Sequence, residues 1–140
     1  MKNLSILLLI AGLFSFNLVV GQNKTAPAAQ TKLVVYYFHA TNRCATCLAI
    51  EENTKKTLQS NFAGEMKNGT IKFLSINVDE KENAALAEKY QAAGSALWIT
   101  KLANGKEEKK DMTNFAFSYG RSNPEKFISG LKEEIEKELK

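Results

Sequence analysis

Cys44 and Cys47 are the only cysteines in this 140-residue chain, and they stand three positions apart. A cysteine acts as nucleophile or metal ligand in its thiolate form. A disulfide between these two would close a loop with two residues inside it, and in the chain-entropy account the shortest loops stabilise least. The pair is a poor staple, so chemistry is the better reason for it. Three uses are open: a reversible dithiol–disulfide couple, a soft-metal or metalloid site, or an inactive remnant. A closed zinc site wants four ligands, whereas the chain offers two cysteines and one histidine, His39. Zinc would need an acidic fourth ligand, while an open or shared site for Cu(I) remains compatible with Cys44, Cys47 and His39. The plainer role for His39 is a loop histidine satisfied by water or backbone. Arg43 places a positive charge next to Cys44, either to stabilise its thiolate or as an ordinary solvated side chain.

The elements around the pair follow from the hydrophobic pattern. Leu33 to Phe38 is an unbroken β-branched and aromatic run, expected as a central strand covered on both faces. After Cys47, Ile50, Thr54, Leu58 and Phe62 recur at near-helical spacing with Glu51, Glu52, Lys55 and Lys56 between them, which predicts an amphipathic helix starting at the cysteines. In its first turn Thr46 is expected to pack or to bond backbone. Ala63-Gly64 and Asn68-Gly69 are expected to end that helix in a turn. Ile71 to Val78 reads as a second strand, with Asp79 as cap for a short helix through Ala84, Leu86, Ala87 and Tyr90. Ala96 to Leu102 reads as a third strand, with Trp98 in the core. Asn104-Gly105 predicts a hairpin returning Lys106 to Met112 as a charged edge strand. Asn114 to Arg121 reads as a packed loop or short strand whose aromatics Phe115, Phe117 and Tyr119 lie under the last helix or line a groove. Asn123, Pro124 and Glu125 start that helix, and Phe127, Ile128, Leu131, Ile135 and Leu139 line its face. This order implies an α/β fold, a mixed central sheet of about four strands flanked by helices.

A C-x-x-C after a buried strand and at the start of a helix is a redox signature with a mechanism. The helix N-terminus favours a thiolate on Cys44, and Cys47 one turn later is placed to resolve a mixed disulfide. Here the chain resembles the thioredoxin family from about Leu33 to Leu139, on Phe38 to Cys47, Ile76-Asn77-Val78-Asp79, Glu88-Lys89-Tyr90 leading to Gly94, and Asn104-Gly105. The resemblance implies a thioredoxin-like fold and a thiol-disulfide oxidoreductase, with Cys44 attacking and Cys47 resolving. It implies no cofactor beyond the Cys44–Cys47 disulfide, and a dithiol or disulfide protein as redox partner. Three positions depart from the family. Tyr37 stands where the family carries a buried carboxylate, which leaves water, Glu51 or Glu52 as proton acceptor for Cys47. Arg43 replaces an aromatic residue. Ala96 replaces the cis-proline facing the cysteines, and a cis bond before a non-proline residue costs about 2.5 to 4 kcal/mol, so a trans Ser95-Ala96 bond and a more open site are expected. A dedicated partner then fits better than general exchange on unfolded proteins. The chain is also similar to small exported subunits of a nitrophenyl-compound nitroreductase (the ArsF group) in its His39, its Arg43-Cys44-x-x-Cys47 and its Asn114-Phe115 stretch. That similarity implies an accessory or electron-passing role, because no flavin or nicotinamide fingerprint is present, and it raises As(III) as a thiolate ligand.

The N-terminus bears on compartment. Met1-Lys2-Asn3, the apolar run Leu4 to Val20 and the small-residue site Val19-Val20-Gly21 have the three-part form of a secretory signal over residues 1–21, cleaved near Gly21. An uncleaved anchor is the alternative, although the run falls just short of the roughly 20 residues a spanning helix needs. A flexible lead over residues 22–32 and one domain over 33–140 would follow, periplasmic or otherwise extracytoplasmic, with no membrane span in the mature chain. The formal charge of +4 is spread over interspersed acids and bases, with no dense basic stripe, so no nucleic-acid partner is expected. A monomer is expected.

Overall fold

The structure, a computed structural model, describes residues 30–140. The expected signal segment 1–21, its cleavage near Gly21 and residues 22–29 of the lead lie outside the described residues. The described elements are β1 (Leu33–His39), α1 (Ala45–Asn61), α2 (Ala63–Asn68), β2 (Ile71–Asn77), a 3-10 turn at Lys81–Asn83, α3 (Ala84–Lys89), β3 (Ala96–Ala103), β4 (Lys106–Asp111), α4 (Thr113–Tyr119) and α5 (Pro124–Glu138). The four strands form one mixed sheet in the order β2-β1-β3-β4. β1 runs parallel to β2, with Leu33 opposite Ile71 and His39 opposite Asn77. It runs antiparallel to β3, with Phe38 opposite Ala96.

β1 is central because its side chains are apolar on both faces. Leu33, Val35 and Tyr37 enter one core with Ile50 and Leu58 of α1, Ala116 of α4, and Phe127, Leu131 and Ile135 of α5. Phe38 enters a smaller second core with Tyr90 and Ala92, which Tyr36, Leu86, Ala96 and Trp98 flank. Period-2 alternation along one strand thus feeds two layers. At the far edge, Asn104 and Gly105 both take positive φ, 53° and 73°, as a two-residue hairpin with the sheet's twist requires. Every residue of β4 is exposed, and its charges keep that edge from pairing further.

Three local expectations are corrected. Ala63-Gly64 does not end the helical run: the break falls at buried Phe62, whose N–H bonds Leu58 O and which starts α2, and the chain turns only at Gly69. Asn114 to Arg121 is neither loop nor strand, because α4 spans most of it. Phe115 and Tyr119 fall four apart on one helical face, and Phe115 packs against Phe127 with tilted rings 5.6 Å apart, so tertiary packing overrides the strand preference of aromatic residues. Asp79 does not cap the next helix. Its Oδ2 accepts the Thr41 N–H at 2.7 Å, tying the turn after β2 to the loop before the cysteines.

Candidate functional site

The sheet and α1 together deliver the cysteines. β1 stops at His39, whose carbonyl accepts the Val78 N–H at 2.8 Å, and the Thr41–Asp79 bond fixes the loop that follows. The Asp79 carboxyl is held below its ordinary value, chiefly by the Thr41 backbone N–H and then by the Thr41 hydroxyl. Cys44 is the N-cap of the 17-residue α1, in extended conformation, and its Sγ accepts the Cys47 N–H at 3.1 Å. A sulfur thus occupies the place usually filled by a Ser, Asp or Asn oxygen, where free N–H groups and the helix dipole favour negative charge. Cys44 is exposed and Cys47 half-buried. The two are joined as a disulfide with their Cα atoms 5.1 Å apart, inside the range that closes without backbone movement.

Tyr37, fully buried, donates its hydroxyl to the Cys47 carbonyl at 2.7 Å, with Ser95 Oγ at 3.4 Å. Tyr37 therefore pins the first turn of α1 to β1 and leads to the start of β3. Among the described peptide bonds none is cis, so Ser95–Ala96 is trans as expected. Ala96 lies half-buried opposite Phe38.

Arg43 is placed differently from the simplest expectation. Its guanidinium bonds Glu51 of α1 and lies 5.5 Å over the Tyr37 ring. Glu51 is 8% exposed and also takes Lys55 Nζ at 2.7 Å. Burial alone would raise the Glu51 pKa, but bonds from Lys55, Arg43 and the Ser75 hydroxyl outweigh it and bring it to about 2. Burial pushes the Arg43 pKa down, yet Glu51 and Tyr37 more than offset this and the net shift is upward. A carboxylate so held is a weak base, and its two oxygens are engaged by Arg43 and Lys55. The pair was not legible in the sequence: Arg43 precedes the helix, so no helical spacing connects it to Glu51. Only the Glu51–Lys55 spacing was readable.

Of the other candidates, His39 Nδ1 lies 3.0 Å from Ala40 O and its ring stacks on Tyr37 at 5.9 Å, the backbone-satisfied role. Thr46 is half-buried in the first turn of α1, at the position expected of it. Among the described residues no group of three or more His, Cys, Asp and Glu side chains could hold a metal ion. No helix among them is long and apolar enough to cross a membrane. Trp98 packs edge-on to Tyr90 at 5.5 Å, and Phe115 and Tyr119 pack beneath α5, whereas Phe117 is exposed.

No protein-family model and no curated protein matches the chain. Among solved structures it is similar to a thioredoxin from Fasciola hepatica, at 21% identity over 78% of this chain and 83% of that one, TM-score 0.47. It is similar to a thioredoxin from Thermus thermophilus, at 18% identity over 76% of each chain, TM-score 0.49. Mitochondrial thioredoxin 3 from Saccharomyces cerevisiae, in its oxidised form, is similar at 20% identity over 74% of this chain and 80% of that one, TM-score 0.45. The fold is thioredoxin-like. That statement rests on the strand order, the parallel β1–β2 pair and the cysteines at the start of α1.

Proposed function

We propose that the chain is a thiol-disulfide oxidoreductase acting outside the cytoplasm on a dedicated protein partner. The observation that carries this reading is the exposed Cys44 sulfur at the N-cap of α1, bonded by the Cys47 N–H. In the reduced protein the Cys44 thiolate attacks one sulfur of a partner disulfide, and the other partner sulfur leaves as a thiolate that takes up a proton. The Cys47 thiolate then attacks Cys44 Sγ and closes the intramolecular disulfide. The partner leaves as a dithiol, and this chain has given up two electrons and two protons. Run in reverse, the same steps oxidise a partner. Leu48, next to Cys47 in sequence and 50% exposed, is an apolar side chain a partner could cover. The extracytoplasmic location is supported by the signal-like residues 1–21. The narrower reading, an accessory subunit of an aromatic nitroreductase system, is supported by the sequence resemblance at His39, Arg43 and Asn114-Phe115.

The test is the equilibrium reduction potential of the Cys44–Cys47 pair in metal-free protein, read by thiol trapping in graded redox buffers. A reversible two-electron transition is expected, together with a stable mixed disulfide on Cys44 when Cys47→Ser meets a disulfide substrate. Absence of a reversible couple would sink the redox reading, and titration of the reduced protein with Cu(I), Zn(II) and arsenite would then measure the soft-metal alternative.

A further inference from the structure

The charge next to the reacting sulfur is committed elsewhere. Arg43 is one residue from Cys44, yet its guanidinium is bonded to Glu51 and lies over the Tyr37 ring, while Cys44 Sγ accepts the Cys47 N–H. The Arg43 Nε–H is buried and has no protein acceptor among the described residues. An unsatisfied buried donor opposes a side-chain placement, so something must hold the guanidinium there against that penalty. Glu51 does so with a charge-assisted bond, the strongest kind available to an Arg. Glu51 is in turn fixed by Lys55 and lies on the helix whose first turn Tyr37 ties to β1.

We propose that Glu51 is a positioning residue that sets the reactivity of Cys44 by holding the Arg43 guanidinium away from its sulfur. The inference deepens the redox reading and rests on it for the role of Cys44 as the attacking thiol. With Glu51 in place, the Arg43 charge is engaged by a carboxylate that Lys55 also holds, and the N–H bonded to Cys44 Sγ is that of Cys47. Without Glu51, Arg43 is free to turn toward a sulfur one residue away. The titratable and charged groups around this arrangement are Tyr37 and His39 of β1, Asp79 after β2, and Glu51, Glu52 and Lys55 of α1. Of these, Glu51 is the one ion-paired with Arg43.

The experiment measures the pKa of Cys44 from the pH dependence of its alkylation rate in Cys47→Ser, where it is the single thiol. This readout does not require a reversible disulfide, so it stands or falls separately from the redox potential. Glu51→Gln keeps the shape and removes the hold on Arg43, and the Cys44 pKa is expected to fall by about one unit, the lower end of what a nearby opposite charge does. The same change in an Arg43→Gln background is expected to move the pKa by much less, because the group being released is gone. Glu51→Asp keeps the charge but shortens its reach, and is expected to shift the pKa in the same direction as Glu51→Gln. It also serves if Glu51→Gln fails to fold. An unchanged or raised pKa in both Glu51 variants overturns the proposal. So does an equal fall with and without Arg43, which would mean that Glu51 acts only by its own charge.

Discussion

Glu51 is the residue at which stability and reactivity meet, and its acid behaviour follows from its bonds. Its folded pKa, about 2, lies below the ordinary carboxyl value of 4.5. A group depressed in this way stabilises the fold above its unfolded pKa, and the contribution is lost as pH falls toward the folded value. The Glu51 contribution is therefore full above about pH 4.5 and disappears between there and about pH 2. Its size is between about 1 and 3 kcal/mol, the upper figure set by the shift and the lower by the solvent that still reaches Arg43 and Lys55. Urea unfolding of the wild type and of Glu51→Gln is the check. The two curves are expected to lie apart by this amount at pH 7 and to converge as the pH approaches 2. A gap independent of pH would show that Gln disturbs packing and that charge is not the cause.

At the level of elements, the loop between α4 and α5 is held against α1 by close approach. Asn53 donates its Nδ2 to the Gly120 carbonyl at 2.8 Å. A Cβ added at Gly120 would lie 2.5 Å from Ile50 Cγ1 and 2.6 Å from the Ala116 carbonyl oxygen. The second of these is helix backbone and cannot swing aside. Gly120→Ala is expected to lower stability by about 1 to 3 kcal/mol or more. Asn123→Ala is the milder comparison: it removes the side chain that accepts the Lys126 N–H at 3.0 Å and caps α5, for about 1 kcal/mol. A chemical denaturation series on both variants checks the ranking, and a Gly120→Ala protein as stable as wild type would contradict the packing at Ile50. The start of α5 was readable because Asn123, Pro124 and Glu125 act locally. β1 was readable because a six-residue apolar run has few alternatives, and the cysteine pair because its two residues carry their chemistry in their spacing. α4 was not, because its aromatics satisfy strand and helix patterns alike until Phe127 gives Phe115 something to stack on. The Arg43–Glu51 and Asp79–Thr41 contacts were also hidden, since each joins residues from different elements and neither repeats with a period.

The whole molecule links folding to redox state through one thermodynamic cycle. The stability difference between oxidised and reduced protein equals the difference between the potential of the Cys44–Cys47 pair in the folded chain and in the unfolded chain. Two groups of terms compete. The folded chain favours the disulfide because it presets the Cα atoms 5.1 Å apart, with the Cys47 carbonyl pinned by Tyr37 and the preceding loop by Asp79. It favours the dithiol to the extent that it stabilises a Cys44 thiolate; the N-terminus of α1 contributes, and on the proposal above Arg43, bound to Glu51, adds little. With that cation withheld, the disulfide side is expected to prevail. Its margin is bounded, because closing so short a loop in the unfolded chain is worth about 2 kcal/mol. The oxidised protein is therefore expected to be the more stable form, by no more than about 2 kcal/mol, the behaviour expected of a reductant. Guanidinium unfolding of the two forms, each trapped in its redox state, measures the difference directly. A reduced form more stable than the oxidised one would reverse the assignment, because a fold that prefers the dithiol drives electrons inward and works as an oxidant. Glu51→Gln should move the balance in that direction, since releasing Arg43 stabilises the reduced form alone.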